Sequence, residues 1–165
     1  GGRRSVASIV AKGLVPAAVS LALLLTGNAS GGFLVFLGAL ATAAADTVSS
    51  EIGKRYGRRA FAPLEFRPVV RGAAGAISLE GTAAGALAAL LVGASGVWPL
   101  ASRGAFWVGA FLLPVFLGAV VANHLESVAG HVLRIEGERA NEVLNFMVTL
   151  TGGLLAAGLA RAAGL

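Results

Sequence analysis

Apolar residues run through this chain in stretches of roughly twenty, the length that crosses a bilayer as a helix, and clusters of charge separate them. The first stretch, Ser5 to Thr26, is interrupted by Lys12 and Pro16 and is followed by the small-residue turn 27–32. A second, Phe33 to Ala45, runs into a polar turn, Asp46 to Glu51, and then into a long basic loop from Lys54 to about Ser78. The third, Glu80 to Val97, carries Gly81, Gly85, Ala89 and Gly93 every four residues. Such a small-residue stripe lets helix backbones approach closely in lipid, and it places this span inside the bundle. Trp98-Pro99 marks an interfacial turn before the fourth span, Ala105 to Ala122. A charged connection, Arg134 to Arg139, leads to the fifth, Asn141 to Ala160.

The expected fold is therefore all-α: a polytopic transmembrane bundle of about five spans in a single domain, 1–165. Composition agrees. Apolar residues make up 56% of the chain and charged ones 13%, with 24 glycines, a balance foreign to soluble domains. The absence of cysteine excludes disulfides and thiolate chemistry. A net charge of +5 in so apolar a chain points to loops, headgroups or a phosphate-bearing ligand and not to nucleic acid. The chain opens without methionine, so an upstream segment is expected.

Charge also orients the bundle. With the amino terminus cytoplasmic, eleven of the thirteen cations fall on the cytoplasmic side, leaving Arg103 and Arg161 outside. Asp46 to Glu51, Glu80, Asn123 to His131 and Asn141 to Asn145 then all emerge at that one face.

Three groups of residues there carry candidate chemistry. At helical spacing Asp46 shares a face with Ser50 and Thr47 with Glu51, oxygen donors suited to a hard cation or, equally, to solvated ion pairs with neighbouring arginines. On the fourth span Asn123, Glu126, Ser127 and Gly130 form a polar stripe; on the fifth Asn141, Asn145 and Thr149 do the same, either to bind a ligand or to tie helices together. His124 and His131 bracket Glu126 without a third ligand for zinc. The basic loop holds Lys54, Arg55, Arg58, Arg59, Arg67 and Arg71 and ends in the glycine-bearing run 72–82, where backbone N–H groups and a helix start suit an anion. The spacing of a Walker motif is absent.

Ala45-Asp46-Thr47-Val48-Ser49-Ser50-Glu51-Ile52-Gly53 resembles the signature of the membrane family called domain of unknown function 92. Gly75 to Gly85, Glu126-Ser127-Val128-Ala129-Gly130 and Asn141 to Phe146 resemble three further motifs of that family, in order. The chain departs from them at Ala76, Arg134 and Glu126, where the family has Gly, Gln and Asp. The family includes vertebrate transmembrane protein 19 and the plant phytyl-phosphate kinase, and its members usually carry further amino-terminal spans.

The resemblance implies phosphoryl transfer from a nucleoside triphosphate, CTP first, to an isoprenyl monophosphate such as phytyl or geranylgeranyl phosphate. It implies Asp46, Glu51 and Glu126 as catalytic acids holding Mg²⁺, and Lys54, Arg55 and Arg71 on phosphates. Ser78 and Thr82 fall in the matched glycine-bearing segment and are expected at the substrate, with Asn141 and Asn145 orienting the acceptor. A bacterial cell membrane is the expected location. Rival readings are a transporter of a small anion or lipid, a cytidylyltransferase forming a CDP-lipid, and a non-catalytic assembly protein. Transporter sites, however, favour the bilayer midplane between repeats, and no repeat is evident here.

Overall fold

A computed structural model describes residues 6–26, 32–135 and 137–165. The expected turn at 27–31 and Glu136 lie outside the described residues, as does Ser5 at the start of the first span. Five helices, long and apolar enough to cross a membrane, make up most of the rest: α1 (Val6–Thr26), α2 (Gly32–Tyr56), α3 (Leu79–Val97, continued by a 3₁₀ turn Trp98–Arg103), α4 (Ala105–Val132) and α5 (Glu138–Ala162). Outward faces carry exposed Leu24, Leu91, Phe106 and Leu154, as a lipid-facing surface requires.

Three helices run further than the apolar pattern suggests. The polar turn expected at Asp46 to Glu51 is helix: α2 continues to Tyr56. The hydroxyls there stay satisfied within the helix, Ser49 Oγ donating to the Asp46 carbonyl and Ser50 Oγ to that of Thr47, each at 3.1 Å. Likewise α4 does not end at Ala122 but extends to Val132, and α5 begins at Glu138, inside the expected connection. Backbone hydrogen bonds propagate a helix whatever side chains it bears, so polarity marks where the bundle meets water and not where a helix stops.

α2 is the central helix, packing against α1, α3, α4 and α5. This corrects the expectation for α3, which packs mainly on α2, α4 and the turn after it and leaves Leu79, Leu87 and Leu91 exposed. Its stripe is nevertheless the buried face: Gly81, Gly85, Ala89 and Gly93 are all buried. A Cβ on Gly85 would stand 2.9 Å from the Ala45 carbonyl oxygen, and one on Gly93 would stand 2.9 Å from Leu112. The same device joins α4 to α5, where a Cβ on Gly118 would stand 2.9 Å from the Ala156 nitrogen. Between them lies a core of Leu34, Leu37, Ala41, Ala45, Val97, Val115 and Ala156.

The basic loop is built. After α2, strands β1 (Ala60–Phe61) and β2 (Pro68–Val69) pair antiparallel, and Phe61 exchanges hydrogen bonds with Ile77 at 2.9 and 3.0 Å. Ser78 then caps α3, its Oγ accepting from the Gly81 N–H at 3.1 Å, with Glu80 in the first turn.

Candidate functional site

One end of the bundle opens into a cavity of about 870 Å³. Its wall takes residues from the amino-terminal parts of α1, α3 and α5 and the carboxy-terminal parts of α2 and α4, which places those ends together and makes neighbouring helices antiparallel. The loop 71–78 closes one side. Gly75 is required there twice over: its φ is +67°, and its Cα faces the α4 backbone so closely that a Cβ would collide with the Ser127 carbonyl and the His131 nitrogen. Gly130 is the matching gap on α4, where a Cβ would stand 3.3 Å from the Gly75 nitrogen.

Asp46, Glu51, Lys54, Arg71, Ser78, Thr82, Glu126, Asn141 and Asn145 all line this cavity. Arg55 does not. Its guanidinium lies over the neighbouring Tyr56 ring, 5.6 Å from the centroid, and helix rotation turns it from the cavity wall that Lys54 joins. Arg71 Nη1 donates to the Gly57 carbonyl at 3.2 Å, which holds its cation between the end of α2 and the cavity.

The lining has a floor and a rim. Asp46 lies ten residues inside α2 from Tyr56, about 15 Å along the axis, and Asn123 and Asn145 sit comparably deep in α4 and α5. These three are buried. The Ser49 hydroxyl lies 3.3 Å from Asn123 Oδ1, joining α2 to α4, and Asn145 Nδ2 lies 3.5 Å from Ser8 Oγ, joining α5 to α1. Glu51, Lys54 and Arg71 stand nearer the mouth.

Lys12, read from the sequence only as an interruption of the first span, is the residue that the expectations missed. Its ammonium forms an ion pair with Asp46 Oδ2 and donates to Thr47 Oγ1 at 3.1 Å. Both charged side chains are nearly buried, at 11% and 12% exposure. The signal was present: an ionised side chain within a span is costly unless it has a partner, so a solitary lysine there calls for an acid.

That pairing bears on the metal expectation. Among the described residues no three His, Cys, Asp or Glu side chains gather into a metal-holding group, so Asp46, Glu51 and Glu126 do not form a preformed cage. Asp46 faces a cation instead. Glu51 and Glu126 remain as carboxylates on the same cavity, and Glu126 Oε2 is buried. One or two carboxylates completed by substrate phosphates are a usual site for Mg²⁺, and this donor set fits that arrangement. His124 lines the cavity, with its Nδ1 2.8 Å from the Val120 carbonyl, and His131 Nε2 lies 3.1 Å from Glu65 Oε2 in the hairpin.

Residues 1–153 match the family model described as integral membrane protein DUF92. The chain is 38% identical over 130 residues to Protein VTE6, chloroplastic, of Arabidopsis thaliana, covering 74% of this chain and 36% of that protein. It is 35% identical over 127 residues to an uncharacterized membrane protein of Synechocystis, covering 76% and 47%, and 28% identical over 152 residues to one of Methanocaldococcus jannaschii, covering 92% and 60%. The chain thus spans between about a third and three fifths of the length of these relatives. No solved structure matches it.

Proposed function

From the premise that the chain belongs to the integral membrane protein family DUF92, we propose that it is a membrane-embedded kinase that converts an isoprenyl monophosphate to the diphosphate with a nucleoside triphosphate, CTP first. The observation that carries this reading is the cavity itself: acids and cations share one wall at the polar end of a lipid-facing bundle. An amphiphile whose tail lies among helices and whose phosphate reaches that end meets a soluble nucleotide there. The charge bias of the loops supports a cytoplasmic position for this end. A bacterial cell membrane is the proposed setting.

In the proposed reaction a phosphate oxygen of the lipid attacks the γ-phosphorus of the donor. The new P–O bond forms as the bond from the γ-phosphorus to the β–γ bridging oxygen breaks, and the nucleoside diphosphate leaves with that electron pair. Such chemistry needs mainly positioning and neutralisation of charge. Lys54 and Arg71 supply cations at the rim, and Asn141 and Asn145 donate hydrogen bonds toward the acceptor. Glu51 and Glu126 would hold Mg²⁺ with the donor phosphates, and a bound Mg²⁺ would neutralise charge developing on them.

The test is direct. Purified protein in detergent is given Mg²⁺, labelled CTP or ATP, and phytyl or geranylgeranyl monophosphate. Labelled lipid diphosphate, lost in Asp46→Asn and Glu51→Gln, is expected. Release of pyrophosphate with a CDP-lipid would replace the kinase with a cytidylyltransferase, and folded protein that binds nucleotide yet makes neither product would overturn both.

A further inference from the structure

The cavity carries cations at two depths and on different elements. Lys54 and Arg71 belong to the end of α2 and the loop after it, at the mouth. Lys12 belongs to α1, six residues after Val6, its first described residue, about 9 Å along the axis. α1 is the peripheral helix: it packs on α2 and α5 and leaves Ile9, Leu21 and Leu24 exposed. The one cation on this helix that lines the cavity thus sits on the side nearest lipid, at the floor.

Lys12 is held in place there. Asp46 and Thr47 of α2 take two of the three N–H groups that an ammonium carries, leaving capacity for a further acceptor. Among the described residues Asp46 is the acid that pairs with Lys12, and the ammonium lines the cavity, so a phosphate entering there meets a cation already in position. Neutral donors stand beside it: Ser8 from the same helix and the Asn145 amide, within 3.5 Å of each other on the same wall.

We propose that Lys12 is a phosphate-binding residue for the lipid-borne substrate, with Ser8 and Asn145 beside it, while Lys54 and Arg71 serve the soluble anion at the rim. The assignment rests on the kinase reading for the identity of the two anions. It divides the cavity into a deep site for the phosphomonoester of a membrane amphiphile and a shallow site for the triphosphate. Asp46 is then a positioning residue for Lys12, since it acts through the lysine and not on the phosphate.

The experiment measures binding and turnover separately on the detergent-solubilised full chain, with geranylgeranyl monophosphate, geranylgeraniol and CTP as probes. Lys12→Gln is expected to weaken monophosphate binding at least tenfold, to leave binding of the alcohol unchanged, and to leave CTP binding within twofold. Arg71→Gln is expected to do the reverse for monophosphate and CTP. Should Lys12→Gln leave Asp46 uncompensated and unfold the protein, the paired replacement Lys12→Met with Asp46→Leu removes both charges and keeps the packing. Tight monophosphate binding by that double variant, or an equal loss of both ligands in Lys12→Gln, would overturn the assignment. Lys12-dependent monophosphate binding without transfer from any nucleotide would sink the kinase reading and leave this site standing. Turnover with monophosphate binding indifferent to Lys12 would do the opposite.

Discussion

Gly75 in the loop before α3 rests directly on the Ser127 carbonyl of α4, with no room for a side chain between them. The contact closes the cavity wall, because residues 72–76 line it on one side and Glu126, Ser127 and Gly130 on the other. Gly75→Ala meets two obstacles, the collision with α4 and a left-handed backbone that disfavours any Cβ. A stability loss of about 1–3 kcal/mol is expected, with faster amide exchange in the 72–77 loop and weaker ligand binding. Unchanged exchange in that loop would show that it does not depend on α4.

The packing of α2 on α3 gives a second prediction. A Cβ on Gly85 would stand 2.8 Å from Ser49 Cβ and 2.9 Å from the Ala45 carbonyl, both on α2. Gly85→Val is expected to lower the thermal midpoint in detergent, at a cost of about 1–3 kcal/mol. Gly109→Ala is its control, since nothing lies within 4 Å of that position. It should leave the midpoint unchanged or raise it slightly, by the helix preference of Ala over Gly.

Stability of the Lys12–Asp46 pair should be strongly non-additive. Asp46→Leu alone leaves a nearly buried ammonium uncompensated and is expected to cost about 3–5 kcal/mol. Adding Lys12→Met should recover most of that loss, because an apolar pair of similar volume removes the uncompensated charge. Thermal unfolding of the single and double variants decides it; simple additivity would mean that the two charges do not interact.

Two arginines close in sequence should part company in function. Arg71 lines the cavity and is held by the Gly57 carbonyl, whereas Arg55 stacks on Tyr56 outside it. Arg71→Gln is expected to raise the apparent KM for nucleotide about tenfold, the loss of one charge-assisted contact of about 1.4 kcal/mol. Arg55→Gln should change it less than twofold. Equal effects would refute the distinction that their places on and off the cavity wall draw.

Metal dependence should follow the carboxylates that remain on the cavity. Glu51→Gln and Glu126→Gln are each expected to raise the Mg²⁺ concentration needed for half-maximal rate by about tenfold, worth about 1.4 kcal/mol per lost ligand. A titration of rate against Mg²⁺ reads this, and an unmoved midpoint in both variants would remove them from the metal site.

Much of this arrangement was legible from the chain alone. Five apolar stretches of spanning length dictate five helices, because a backbone in hydrocarbon must satisfy its own hydrogen bonds. Their alternation then brings Asp46, Glu126 and Asn145 to one end, since successive spans cross the bilayer in opposite directions. Gly81, Gly85 and Gly93 named the packed face of α3 by their spacing, though not that the helix lies at the edge and α2 at the centre.

What only the tertiary structure decided is rotation and neighbourhood. Hydropathy records how apolar a segment is and not which residue faces it, so Lys12 read as a flaw in a span until α2 placed Asp46 opposite it. Arg55 and Lys54, adjacent in the chain, were equivalent in composition and became different because about 100° of helix rotation separates consecutive side chains. The seating of Gly75 on α4 arises from a contact between residues some fifty apart in sequence, which no local pattern of polar and apolar positions can encode.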